Sequence, residues 1–161
     1  MVDFLYLYEA IGKLMPKILI LYYSRTGNTE KMAKAIAEGA KTIHGADVET
    51  NYYVSAEELG KFDAIAVGVP TYHHDMDSSI KNLFEEAAFK GVKLSGKIGA
   101  AFGSYGWSGE APKLVLEIMK NKFEMQTIEP PLLIKYAPDK NGLEKCREYG
   151  RKIAERLMTK A

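Results

Sequence analysis

The chain has 161 residues, 47% hydrophobic and 27% charged, with a formal net charge of +1. That length suits one domain with one core, and so even a charge balance gives no global attraction to nucleic acid or an anionic membrane surface. The single cysteine, Cys146, excludes an internal disulfide and any CxxC metal or redox pair, and it fits a reducing, cytoplasmic compartment.

The first fourteen residues, MVDFLYLYEAIGKL, lack a basic start and a small-residue cleavage site, and Asp3, Glu9 and Lys13 interrupt them. A signal peptide is not expected, and the run is too short to span a bilayer. Phe4, Leu7, Tyr8, Ile11 and Leu14 keep a three-four spacing, which predicts an amphipathic helical extension over residues 1–14. Its partner is its own domain or a second copy of the chain, giving a homodimer. A membrane-surface helix and a mobile extension stand as alternatives. Residues 15–161 are expected to form the domain proper.

KILILYY (17–23), DAIAVGVP (63–70) and KIGAAFGS (97–104) are short, nearly unbroken apolar runs, the pattern of strands covered on both faces. ADVETNYYV (46–54) alternates and reads as an edge strand, and Ser55 with Glu58 forms a capping box opening a short helix. MQTIEPPLLIKY (125–136) holds Pro130 and Pro131, so this strand lies at an edge or carries a break. Helical stripes follow the strands: Met32, Ala33, Ile36, Ala37, Ala40 and Ile43; Ile80, Leu83, Phe84 and Ala87; Ala111, Leu114, Val115, Ile118 and Met119; Leu143, Cys146, Tyr149, Ile153 and Leu157. Alternating strands and helices predict an α/β fold with a parallel sheet covered on both sides.

SRTGNT (24–29) sits at the end of the first strand, directly before the first helix. A helix start presents unpaired N–H groups and the positive end of the dipole. Hydroxyls from Ser24, Thr26 and Thr29, the Asn28 amide and the close approach that Gly27 allows add neutral donors there, and a phosphate fits. A Walker A loop would need a second glycine and a lysine, and a dinucleotide fingerprint GxGxxG. A CxxxxxR phosphatase would need a cysteine at this place. The loop is therefore read as holding a terminal phosphate rather than cleaving one; a well-capped turn that binds nothing is the plain alternative.

SRTGNTEKMAKAIAEG (24–39), VGVPTYHHDMDSSIKNLFE (67–85) and AFGSYGWSGEAPKLVLE (101–117) together resemble the flavodoxin family, whose members hold flavin mononucleotide (FMN) without covalent attachment. The last stretch, with KCREYGRKIAE (145–155), is most similar to the flavodoxin-like domain of flavodiiron proteins. The resemblance runs from Lys17 to Ala161 and implies a flavodoxin-like three-layer sandwich. Its five-stranded parallel sheet takes the order 2-1-3-4-5, for which flavodoxin itself is the type example, with FMN at the switch between the first and third strands.

On that resemblance, Ser24, Arg25, Thr26, Gly27, Asn28 and Thr29 hold the phosphate. Pro70, Thr71, Tyr72, His73 and His74 border one side of the isoalloxazine, and Gly103, Ser104, Tyr105, Gly106, Trp107 and Gly109 the other. Tyr72, Tyr105 and Trp107 are the stacking candidates, because an aromatic face offers wide contact with few rotamers to freeze. Asp75, Asp77 and Glu110 fall in the ring loops, where they either make the site locally negative or simply cap helices. Many flavodoxins place a glycine where TYHHDM has none, so stabilisation of a half-reduced ring by a peptide flip is not expected. A histidine there could instead couple reduction to protonation. His73, His74 and Asp75 make no convincing metal set, since the remaining His44 lies on the first helix.

The expected function is electron carriage between proteins: a reductase or ferredoxin-like donor, and an acceptor such as a flavodiiron protein. No catalytic residue is assigned. An FMN-dependent NAD(P)H or quinone oxidoreductase is the alternative, disfavoured by the short connections. A flavin-free phosphate-binding module is a third reading. A response regulator is not supported, because YYSRT offers no acidic pair.

Overall fold

A computed structural model describes residues 3–7, 15–71 and 74–160 of the chain. Residues 4–7 are helical, started by Asp3, whose side chain accepts the Leu5 amide at 3.0 Å and whose carbonyl accepts that of Leu7. The rest of the predicted N-terminal helix lies outside the described residues, as do Tyr72 and His73.

The apolar runs become strands β1 (Lys17–Tyr22), β3 (Ala64–Gly68) and β4 (Ile98–Tyr105), with the alternating run as β2 (Asp47–Asn51). The proline-broken run divides into β5 (Gln126–Thr127) and β6 (Leu132–Lys135). Proline has no amide for the ladder; the two pieces pair with different parts of β4, Ile98 and Gly99 on one hand and Phe102 to Tyr105 on the other. All pairings are parallel, in the order β2-β1-β3-β4-β5, with β6 continuing beside β4.

Helices α1 (Asn28–Lys41), α2 (Ser78–Phe89), α3 (Glu110–Phe123) and α4 (Lys140–Thr159) cover the sheet, with a 3-10 turn at Glu57–Lys61. Successive strand side chains point to opposite faces, so both faces of an unbroken apolar run must be buried. Leu19, Leu21, Ile65 and Val67 pack on one face against Ile80 and Phe84 of α2 and Val115 and Met119 of α3. Ile18, Ile20, Ala64, Ala66 and Phe102 pack on the other, against Met32 and Ile36 of α1 and Tyr149 and Ile153 of α4. The result is the expected three-layer flavodoxin-like sandwich. Among the described residues no helix is long and apolar enough to cross a membrane.

The capping expectations hold at Ser55 and Asp77 but not at Glu110, which is the first residue of α3 behind Gly109, an N-cap with no side-chain hydrogen bond. Ser55 and Glu58 exchange hydrogen bonds: the Glu58 amide donates to Ser55 Oγ at 3.3 Å and the Ser55 amide to Glu58 Oε1 at 3.5 Å. Asp77 caps α2, accepting the Ser79 amide at 2.8 Å, and Asp139 caps α4 through Gly142 at 2.7 Å.

Candidate functional site

In an open parallel sheet the crevice lies at the carboxyl ends of the strands, where the winding reverses. Here β1 is flanked by β2 and β3, so the chain leaves β1 toward one face and β3 toward the other. A pocket of about 240 Å³ opens at these ends, lined by Arg25, Thr26, Asn28, Thr29, Pro70, Thr71, Ser104, Tyr105, Gly106 and Tyr136.

The floor is the start of α1. The first internal hydrogen bond of that helix runs from the Lys31 amide to the Gly27 carbonyl, at 3.0 Å. The amides of Asn28 and Thr29 therefore lie outside the helix's own bonding, at its positive end. Ser24 turns inward: its Oγ accepts the amides of Gly27 at 3.1 Å and Glu30 at 3.3 Å. This serine closes the loop on the helix and does not line the pocket. Gly27 is the N-cap, with φ +92°, a left-handed conformation that a Cβ disfavours; an added Cβ would find nothing within 4 Å.

The walls come from the loops after β3 and β4. Thr71 Oγ1 accepts the Ala111 amide at 3.0 Å, tying the first loop to the start of α3. The Ser104 amide donates to Thr29 Oγ1 at 3.4 Å and its hydroxyl to the Tyr136 carbonyl at 2.6 Å. Gly103 is a close-approach glycine, because a Cβ there would stand 2.0 Å from the Val69 carbonyl oxygen. Gly109 is less confined: a Cβ there would stand 3.1 Å from the end of the Leu133 side chain. Both shape the loops without lining the pocket.

Beyond the walls, His74 bridges the two loops. It adopts φ +66°, its Nδ1 meets Glu110 Oε1 at 2.9 Å and Ser108 Oγ at 3.3 Å, and its ring lies 5.9 Å from that of Trp107, tilted by 54°. Trp107 is 89% exposed and lies at the rim rather than in the pocket. The Ser108 hydroxyl and then His74 hold the Glu110 carboxyl down at about 2. Asp75 is lowered by the Lys81 ammonium at 2.7 Å and by the Met76 amide. The carboxylates of the ring loops thus each meet a partner: Lys81 at Asp75, His74 at Glu110, the Ser79 amide at Asp77.

Of the residues singled out in the sequence, the fold brings Arg25, Thr26, Asn28, Thr29, Pro70, Thr71, Ser104, Tyr105 and Gly106 into one pocket. Tyr136 joins them unannounced. Its signal was available: an aromatic residue just past a parallel strand, in the KYAPD stretch before the last helix.

The pocket's donor set suits a phosphate, and its loops match known proteins. The family model described as flavodoxin matches residues 20–150. Type A flavoprotein fprA of Rhodobacter capsulatus is 38% identical over 152 residues, covering 89% of this chain and 34% of that protein. A solved flavodoxin from the domain Archaea superposes with a TM-score of 0.81 at 39% identity, covering 88% of this chain and 99% of that one. The flavodiiron protein from Giardia intestinalis shares the fold, with a TM-score of 0.79 at 21% identity over 95% of this chain and 39% of that one. The chain spans about a third of the length of its fprA relative and nearly all of the archaeal flavodoxin. It belongs to the flavodoxin family, which binds FMN.

Proposed function

We propose that residues 15–161 bind FMN in the pocket at the start of α1 and carry electrons between partner proteins, with residues 1–14 as an extension outside that unit. The observation that supports this most is the lining of the pocket: Arg25, Thr26, Asn28 and Thr29 stand together at the start of α1, where the Asn28 and Thr29 amides lie outside the helix's own bonding. A phosphate needs several donors at one point, and a helix start supplies them with a favourable dipole.

FMN, when bound, supplies reversible one- and two-electron redox chemistry. The chain's own residues do the rest. Arg25, Thr26, Asn28 and Thr29 would hold the tail. Ser24 and Gly27 keep the helix start in shape. Pro70 and Thr71 form one wall and Ser104, Tyr105 and Gly106 the other. Tyr105, half-buried at the end of β4, offers a flat face to the ring. His74 and Trp107 would stand at the rim, where a donor or acceptor protein meets the cofactor through a small, transient contact. Partners of the reductase, ferredoxin-like and flavodiiron kinds fit this role, and a homodimer through the N-terminal segment fits the apolar side chains of Phe4, Leu5 and Tyr6, all exposed.

The test is direct. The FMN-loaded chain should oxidise no NAD(P)H with a quinone alone, yet pass electrons from an added flavoprotein reductase to cytochrome c. Steady turnover without the reductase would make the chain an oxidoreductase instead.

A further inference from the structure

Tyr136 carries features that folding does not ask for. The residue directly follows β6 and adopts φ +59°, a left-handed conformation that favours glycine. The turn is locked from both sides: the Tyr136 amide donates to the Tyr105 carbonyl at 2.7 Å, and its carbonyl accepts the Ser104 hydroxyl at 2.6 Å. Ser104 in turn donates its amide to Thr29, so the turn is fastened through β4 to the first turn of α1.

The ring belongs to neither core cluster and is 62% exposed, yet it lines the pocket beside Arg25, Thr26 and Asn28. A Cβ at Gly106 would stand 3.6 Å from the ring, at ordinary van der Waals distance, so the ring borders the Gly106 backbone. The Lys135 ammonium lies 5.4 Å from the ring centroid, a cation beside the aromatic face. A glycine would make the turn more easily; the tyrosine is there for its side chain.

We propose that Tyr136 is a specificity residue of the flavin site: its ring forms a third wall that admits a tail ending in a single phosphate and obstructs one continuing into a second nucleotide. The inference rests on the FMN reading above. With the α1 donors and an aromatic residue lining the same pocket, a monophosphate ester would have contacts to both. The adenylate half of FAD would have to displace the ring, whose backbone is pinned.

The left-handed backbone provides a fold-safe test, because Tyr136→Gly removes the ring from a conformation glycine prefers. FMN and FAD are titrated into the apoprotein and binding is read by flavin fluorescence, with thermal melting of the apoprotein alongside. Tyr136→Gly is expected to melt no lower than the wild type. It should weaken FMN about ten-fold and narrow the preference for FMN over FAD by a similar factor, the size of one lost aromatic contact. Tyr136→Phe should keep the preference. If the wild type prefers FMN and Tyr136→Gly leaves both affinity and preference within about two-fold, the role of Tyr136 is refuted while the FMN site stands. A wild type that takes up neither flavin refutes the site and this proposal together.

Discussion

Helices α1 and α4 touch backbone to backbone, whereas α2 and α3 on the opposite face stand apart. A Cβ on Gly39 of α1 would lie 1.9 Å from the Arg147 carbonyl oxygen of α4, and one on Gly150 of α4 would lie 1.9 Å from the Ile36 carbonyl oxygen of α1. Across the sheet, α2 and α3 meet at Phe84 and Phe123, with ring centroids 5.8 Å apart, and leave open surface grooves of about 410 and 270 Å³. Lys81, Ile118 and Lys122 line both. The loops that build the tail end of the pocket, 24–27 and 136–139, lead into the tight layer. The loops around the proposed ring end lead into the loose one. Anion binding needs donors fixed in advance, while a ring edge that meets partners tolerates give.

The largest effect should come from Gly150→Ala. The added methyl has nowhere to go, because what it meets is the backbone of α1. Separating the helices should cost about 3 kcal/mol of stability, seen as a large fall in melting temperature, with FMN affinity falling as the start of α1 shifts. Gly27→Ala comes next. Space is open there, so only the left-handed backbone resists, at roughly 1–2 kcal/mol; urea unfolding and FMN titration should both register it.

Leu114→Ala, at the half-buried edge of the groove between α2 and α3, should cost no more than about 1 kcal/mol and leave FMN affinity unchanged. A loss as large as that of Gly150→Ala would erase the contrast between the layers. The smallest effect is electrostatic. Folding lowers the Glu110 carboxyl from its ordinary 4.5 to about 2. Its contribution is therefore complete above 4.5 and fades as pH falls toward 2. In His74→Ala the Glu110 titration followed by carboxyl NMR should move up toward the ordinary value; no movement would show that the clasp between the loops does not hold in solution.

Much of this was legible in the sequence, for physical reasons that differ by element. Parallel strands buried on both faces write themselves as unbroken apolar runs, and Pro130 with Pro131 marked where the last strand divides. The loop at 24–29 was legible because its chemistry is consecutive in the chain. Ser24 shows the limit: residue type reveals a hydroxyl but not that it turns inward to cap Gly27 and Glu30. Tyr136 and the clasp of His74 with Glu110 went unread because each depends on loops brought together by the sheet. The approaches of Gly39 to Arg147 and of Gly150 to Ile36 were hidden likewise, since a close approach belongs to two helices and neither stripe announces it alone.

The central claim is that the donors at the start of α1, with Arg25 beside them, grip a phosphate. Titration of the apoprotein with FMN and with riboflavin, which differ only in that group, tests it most directly. FMN should bind about a hundred-fold more tightly, as charge-assisted hydrogen bonds to a phosphate require. Equal affinity for the two flavins would contradict it.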